Sequence, residues 1–224
     1  NYDLGFTEPY FLDKNVSAGV DLFRTQTDNT DESSFTSERF GGGLRFGYEI
    51  NEDWRQRVRY LARREKITDV DTDASRFIQD QEGTAITALV GQDLTLDTRN
   101  SRRAPTEGYV VKLTTDFAGL AGDVRFFRVE GFGVAYLTVF PEWIFSVSGN
   151  LGHITGLSDE IRINDRFFLG GDNLRGFEIS GVGPRDPATS DSLGGRTIAN
   201  GSVELQFPLF LPDELGFNGA VFAD

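Results

Sequence analysis

The sequence predicts an all-β protein: an antiparallel transmembrane β-barrel with one loop folded into its interior. Three observations predict this class. Segments of alternating apolar and polar residues recur along the 224-residue chain. Aromatic residues gather near the ends of those segments, and short polar turns alternate with long polar loops. A membrane barrel produces this combination because each strand presents one face to lipid and the other to a polar lumen.

The alternation is clearest between Phe40 and Ile50, where one face is apolar or aromatic and the other carries glycine, arginine and glutamate. Tyr109–Phe117 and Ser202–Phe207 show the same pattern, as expected when successive side chains point to opposite faces of a strand. The other predicted strands are Asn1–Tyr10, Asn15–Thr27, Asp53–Ile67, Gly83–Asp97, Asp123–Phe140, Trp143–His153 and Leu215–Asp224. With shorter strands expected beside the glycine-rich segment near residue 175, the total is about ten to twelve strands.

The connections between these strands alternate in length. Short turns are predicted at Asp13-Lys14, Asn51-Glu52, Pro141-Glu142 and Pro212-Asp213. Long polar loops are predicted at Asp28–Ser33, Thr68–Asp80 and Pro184–Arg196. Short turns on one side and long loops on the other are typical of outer-membrane barrels. The acidic residues in the long loops are interpreted as solvated charges. Cation binding to these loops is the alternative, and no twelve-residue calcium-loop pattern supports it.

One strand bears on the choice between a membrane barrel and a soluble β-sandwich binding module. Arg55, Arg57, Arg59 and Arg63 share one face of the strand that begins near Asp53. That face would be solvated in a sandwich and would line a wet lumen in a barrel, so both folds remain open on this strand alone. Aromatic residues near strand boundaries favour the barrel, because amphipathic rings prefer the membrane–water interface. They are Tyr10, Phe11, Tyr48, Trp54, Tyr109, Phe140, Trp143 and Phe207.

Composition argues against several other functions. The net charge of −13 argues against nucleic-acid binding, and the absence of cysteine excludes disulfides and Cys-ligated metals. No apolar run is long enough for a transmembrane helix. His153 is the single histidine, and no hydrolase elbow or zinc motif occurs. A hydrolase using Ser146 or Ser148 with His153 is conceivable, but a non-enzymatic protein without cofactor or metal is the favoured interpretation.

A turn motif follows the strand that ends at Asp97. It comprises Asp97, Arg99, Pro105 and Gly108. Aspartate favours turns, proline restricts φ, and glycine permits left-handed backbone geometry. These residues therefore predict a shaped hairpin turn before the strand at Tyr109.

The most informative motif runs from Gly170-Gly171 through Leu174, Arg175, Gly176 and Phe177 to Gly183-Pro184. It places one arginine at the tip of a glycine-rich loop, typical of a loop that enters a barrel lumen.

Such an arginine needs anionic partners, since an unpaired buried charge is costly and guanidinium binds carboxylates bidentately. Glu204 and Asp224 lie on the inward faces of their strands by alternation. Three unrelated lumenal charges in water remain the alternative.

These motifs resemble the family of outer-membrane β-barrel assembly insertases typified by BamA, within the POTRA-barrel superfamily. The glycine-arginine motif is similar to the family's inward-folded sixth extracellular loop, although Leu174 replaces the usual valine or isoleucine. Thr7–Phe11 is similar to the end of the family's second barrel strand, and Asp97–Gly108 is similar to its mid-barrel turn. The strand after the loop is matched by Gly194-Gly195, Glu204 and Pro208. The motif that follows is matched by Phe222–Asp224.

The resemblance implies an integral barrel of the Gram-negative outer membrane that folds and inserts other β-barrel proteins. It implies nascent outer-membrane proteins, accessory assembly lipoproteins and outer-membrane lipid as partners. It also implies that Arg175 locks the loop by pairing with Glu204 and Asp224. A polypeptide-secretion pore or passive channel is the alternative within the same fold.

The family's barrel implies about sixteen strands, an even number as in other single-chain outer-membrane barrels. Residues 1–224 are therefore expected to form a partial barrel domain. Upstream POTRA domains and further terminal strands are expected in the working protein.

Overall fold

The computed structural model describes residues 1–158, 160–209 and 217–224, whose strands form one antiparallel sheet. Each strand pairs with its neighbours in sequence, so β1 and β10 lie at the two edges. The strands are β1 (Tyr2–Glu8), β2 (Val16–Asp28), β3 (Thr36–Glu49), β4 (Trp54–Thr68), β5 (Gly83–Asp97), β6 (Gly108–Gly122), β7 (Phe126–Phe140), β8 (Trp143–Gly156), β9 (Thr197–Pro208) and β10 (Asn218–Ala223). Strands β4 to β7 each have 15 residues, enough to cross a bilayer at a tilt.

Helical structure is confined to short connections. Two helices of four residues each, α1 (Thr30–Ser33) and α2 (Arg76–Gln79), lie in the loops after β2 and β4. Short 3-10 segments occur at Phe11–Asp13, Ile163–Asp165 and Gly171–Asn173. Among the described residues, no helix is both long and apolar enough to cross a membrane.

The prediction of shorter strands beside Arg175 is wrong for the described part of residues 157–196. This connection between β8 and β9 contains isolated bridges instead, such as Phe167 with Gly195 and Leu169 with Val182. Positive φ angles at Gly170 (132°), Gly171 (63°) and Gly176 (85°) explain the difference, because they interrupt the extended backbone that a strand requires. The predicted turn at Pro212-Asp213 and the start of the predicted strand Leu215–Asp224 lie outside the described residues.

The outward face of the sheet is apolar and exposed. In β3, Phe40 is 58% exposed and Leu44 is 46% exposed, while the alternate positions Gly41 and Arg45 face inward. Trp143 and Phe207 stack with ring centroids 5.4 Å apart at the short-turn end of β8 and β9. An apolar surface of this extent, with aromatic residues at its margin, is suited to lipid.

The inward face is polar toward the short turns and packed toward the long loops. Arg59 on β4 pairs with Asp93 on β5 (3.0 Å) and with Asp116 on β6. Gly91 leaves room for this arginine, since a Cβ there would lie 2.9 Å from its Nε. The arginine face of β4 therefore lines a lumen. A soluble sandwich needs two sheets packed face to face, and the described strands form one.

Two apolar clusters fill the lumen near the long loops. In the first, residues from β5 to β9 pack with the connection after β8. Its members are Ala85, Leu89, Ala118, Val124, Phe126, Ile154, Ile161, Phe167 and Ile198. The second joins that connection to the loops after β2 and β4 through Phe35, Ile67, Ile78 and Ile163. These clusters determine where the described part of residues 157–196 lies against the sheet.

Candidate functional site

The tip of the connection between β8 and β9 is a compact turn that presents Arg175. The Asn173 side chain accepts a hydrogen bond from Gly170 N (2.7 Å) and donates one to Phe168 O (3.0 Å). Gly171 N donates to Phe177 O at 3.0 Å, which closes the turn. Glycine is required at position 170, because φ is 132° and a Cβ would lie 2.0 Å from Glu178 O.

Arg175 contacts the inward faces of β9 and the end of β10. Its Nε and Nη2 donate to the two carboxylate oxygens of Asp224 at 2.8 and 2.6 Å, forming a bidentate pair. Its Nη1 donates to Glu204 Oε2 at 2.8 Å. The structure thus contains the predicted pairing of Arg175 with both acids, and the alternative of three unrelated lumenal charges does not describe it.

Two further contacts of Arg175 were missed in the sequence. Its Nη2 donates to Ser202 Oγ at 2.7 Å, and its guanidinium carbon lies 3.4 Å from the centre of the Phe222 ring. A cation over an aromatic face is attracted by the ring quadrupole. Ser202 and Phe222 each precede one of the acids by two residues, so alternation could have placed both on the same inward face.

The other members of the predicted motif shape the turn. Leu174 is half-buried, and Gly176 has a φ of 85° with no heavy atom near a built Cβ position. Phe177 is 54% exposed, so it is held mainly by its backbone contact. Asn200 on β9 donates to Asn173 O at 3.0 Å, which adds a second link between the tip and this wall.

One cation therefore faces two carboxylates at this site. The hydrogen bonds that Arg175 donates to Asp224, and then to Glu204, raise the pKa of its guanidinium. The same hydrogen bonds hold the pKa of the Asp224 carboxyl below its ordinary range. A lowered pKa stabilises the folded contact above the ordinary pKa of an aspartate, and that contribution is lost as pH falls through the folded value. The contact is consequently retained at neutral pH.

The connection is also attached to the wall formed by β3 and β4. Asp165, which is 2% exposed, pairs with Arg63 of β4. Arg39 of β3 donates to Asn164 O at 3.2 Å and pairs with the fully buried Glu65. The described part of residues 157–196 is thus attached to two walls of the lumen. Alternation predicts Arg63 and Glu65 inside, but no sequence pattern marks Asp165 as their partner.

The acidic loop after the tip is attached as well. Asp191 accepts hydrogen bonds from Ser34 Oγ (2.7 Å) and Ser75 N (2.6 Å), which join it to the loops after β2 and β4. Asp186 accepts from Ser75 Oγ at 2.6 Å, and this bond lowers the pKa of the Asp186 carboxyl. The interpretation of Asp186 and Asp191 as solvated charges is wrong. Their carboxylate oxygens accept hydrogen bonds from backbone and hydroxyl groups of the packed loops, which would otherwise lack an acceptor.

The predicted turn motif forms a separate structure at the short-turn end. Arg99 donates to both carboxylate oxygens of Asp97, at 2.8 and 3.0 Å, and Arg55 lies 3.2 Å from the same carboxylate. Pro105 is half-buried in the turn, and Gly108 begins β6 with a φ of 90°. This motif and Arg175 contact different residues.

Replacing Gly108 with alanine is expected to destabilise the barrel by about 1–3 kcal/mol, the usual cost of forcing a side chain into a sparsely populated backbone region. A Cβ at this position would also lie 2.4 Å from Thr98 O, a backbone atom. Unfolding in urea with lipid vesicles measures the change. Gly131→Ala is the matched control, because a Cβ there meets no atom within 4 Å. Equal stability of the two variants would contradict the assignment of strain to Gly108.

The residues of the imagined hydrolase are not brought together. His153 faces outward, with Nδ1 2.8 Å from Thr197 Oγ1 and Nε2 3.0 Å from Thr155 Oγ1. Ser146 and Ser148 lie on the inward face of the same strand.

The chain matches a family model along its whole length. The model described as the Omp85 superfamily domain covers residues 1–224. The chain belongs to the Omp85 superfamily. It is 32% identical, over 99% of its length, to outer membrane protein assembly factor BamA of Neorickettsia risticii. It is 29% identical, over 98% of its length, to BamA of Nitratidesulfovibrio vulgaris.

Similarity over a smaller part of the chain extends to eukaryotes. The chain is 30% identical, over 64% of its length and 31% of the relative's, to the human sorting and assembly machinery component 50 homolog. The crystal structure of BamA from Haemophilus ducreyi lacking POTRA domains 1-3 has a TM-score of 0.87 at 20% identity. This alignment covers 98% of the chain and 48% of that structure. The chain spans 30% and 28% of the two bacterial BamA relatives. The chain has the fold of an outer-membrane β-barrel protein.

Proposed function

We propose that the protein containing this chain folds β-barrel proteins and inserts them into the outer membrane. The observation that carries the proposal is the set of contacts that fixes Arg175 to Glu204 and Asp224, in a chain of the Omp85 superfamily. The bacterial relatives are named outer membrane protein assembly factors, and the eukaryotic relatives are named for sorting and assembly.

No covalent chemistry is needed for this activity, and the proposal includes no cofactor. Unpaired backbone N–H and C=O groups at a strand edge template an incoming strand, which is β-augmentation. Nascent outer-membrane proteins are the proposed substrates, and outer-membrane lipid surrounds the site of insertion. Accessory assembly lipoproteins are proposed as partners of the whole protein.

The proposed role of Arg175 is to keep the inserted loop attached to β9 and β10. Its bidentate contact with Asp224 and its contact with Glu204 join the end of β10 to the middle of β9. The Asp165–Arg63 pair attaches the same connection to β4. Together these contacts support a loop that holds β4 and the wall formed by β9 and β10 in fixed positions relative to each other. An edge strand is then available to pair with the substrate.

The test uses the full-length protein in liposomes and follows the folding of an unrelated outer-membrane barrel. Wild-type protein is expected to accelerate that folding, and Arg175→Ala is expected to reduce the acceleration. Arg57→Ala is the control, since Arg57 also lies on the inward face, in β4. No acceleration by wild type, with accessory factors supplied, would reject the proposal in favour of a secretion pore or channel. Equal acceleration by wild type and Arg175→Ala would reject only the role of Arg175.

A further inference from the structure

A group of basic residues lies on the outward face of β2 to β4, near the long loops. Strand register places Arg24, Phe40 and Arg64 side by side on three neighbouring strands. The next row toward the loops contains Glu38 and Lys66, which are also paired in register. We call Arg24, Arg64 and Lys66, with Phe40 between them, the outer basic surface.

The outer basic surface carries more positive charge than the one neighbouring carboxylate, Glu38, can neutralise. Arg24 pairs with Glu38 at 2.7 Å, and its side chain is still 59% exposed. Arg64 and Lys66 are exposed, and neither has an ion pair with another described residue. Their neighbours in sequence behave differently, because Arg63 and Glu65 face inward and are paired. A surface with surplus positive charge is notable on a chain whose net charge is −13.

The position of this surface relates it to the membrane boundary. Long loops mark the extracellular side of an outer-membrane barrel, and Arg64 lies four residues before the end of β4 at Thr68. The adjacent row away from the loops holds Leu22, Gly42 and Ala62, also in register. The arginines therefore stand where the apolar surface ends, and their side chains can extend to lipid headgroups.

The spacing suits a single phosphate. Arg24 and Arg64 are separated by two strand intervals, about 10 Å between backbones. Long flexible side chains from both sides of Phe40 can converge over its ring, and guanidinium binds phosphate oxygens bidentately. Below them, the Leu22 side chain covers Gly42, since its Cδ2 lies 2.8 Å from where a Cβ of Gly42 would stand. Leu22 and the small Ala62 therefore form a shallow apolar surface for an acyl chain.

We propose that the outer basic surface binds the phosphate of an anionic lipid in the extracellular leaflet, with an acyl chain against Leu22 and Ala62. Charge complementarity selects the headgroup, and the adjoining apolar row selects a lipid over a soluble anion. The inference does not rest on the proposed assembly activity, because it concerns the lipid face of the barrel alone.

The test compares retention of a bis-phosphorylated lipid A with that of the same lipid after removal of its phosphates. Native mass spectrometry of the full-length protein, released from detergent, measures both. Wild-type protein is expected to retain the phosphorylated form preferentially. Arg64→Gln combined with Lys66→Gln is expected to weaken that retention by about 25-fold, since each basic residue near an anionic lipid surface contributes roughly fivefold.

Arg57→Gln is the matched control, because it removes an arginine from the inward face of the same strand. It is expected to retain the lipid like wild type. Equal retention of the two lipid forms by wild type would overturn the proposal. So would wild-type retention by the double variant, or an equal loss in Arg57→Gln. The migration of unheated samples on gels shows whether each variant is folded. If the double variant does not fold, Lys66→Gln alone replaces it, with an expected roughly fivefold loss of lipid retention.

Discussion

Replacing Arg175 with alanine is expected to leave a folded barrel whose inserted loop no longer stays against β9 and β10. The substitution removes the bidentate contact with Asp224 and the hydrogen bonds to Glu204 and Ser202. The two acids would then repel each other without an intervening cation. If the loop stays attached in only about a tenth of the molecules, the rate of assembly is expected to fall about tenfold. Limited proteolysis within residues 157–196 and the liposome folding assay measure the two effects.

The structure also limits how far this loosening should spread. The pair of Asp165 with Arg63 and the hydrogen bonds of Asp191 to Ser34 and Ser75 do not involve Arg175. New cleavage is therefore expected near residues 170–183 and not near Asp165. Arg175→Lys is the informative companion, because lysine keeps the charge but cannot form the bidentate contact. Wild-type assembly together with unchanged proteolysis in Arg175→Ala would contradict the proposed role.

Replacing Leu113 with arginine is expected to impair membrane insertion. Leu113 lies in the middle of β6 on the outward face, where it is 42% exposed to the lipid side. An arginine on the lipid face near the bilayer midplane costs about 2–4 kcal/mol. The fraction of protein that folds into lipid vesicles, together with urea unfolding of the folded fraction, measures this cost.

Thr114→Arg is the matched control, since it adds the same side chain one residue further along β6. Thr114 faces inward and its hydroxyl donates to Asp93 Oδ1 at 2.8 Å. An arginine there faces the polar lumen beside Asp93, Asp116 and the Arg59 that pairs with both, and does not enter lipid, so insertion is expected to stay close to the wild-type level. Equal impairment by both substitutions would mean that the two faces of β6 have been assigned wrongly.

The local alternation of side chains was sufficient to predict most of the sheet. The predicted strand Gly83–Asp97 has the observed bounds of β5, and the arginine face of β4 was assigned by the same pattern. This succeeded because the side-chain period of a strand is two residues and one face of a membrane barrel must be apolar. The tip around Arg175 was recognised because glycine at positive φ and an isolated arginine leave a local signature.

The sequence by itself therefore determined the strands, their two faces, and the inward direction of Glu204 and Asp224. The tertiary structure alone decided which distant residues meet. Asp165 with Arg63, and Asp191 with Ser34 and Ser75, are separated by about a hundred residues or more along the chain. The absence of strands in the described part of residues 157–196 was also seen only there, where positive φ angles at Gly170, Gly171 and Gly176 interrupt the extended backbone and the connection packs against the lumenal wall. The physical reason is that periodicity is a property of neighbouring residues, whereas a buried carboxylate finds its partner only when the sheet curves and brings the two together.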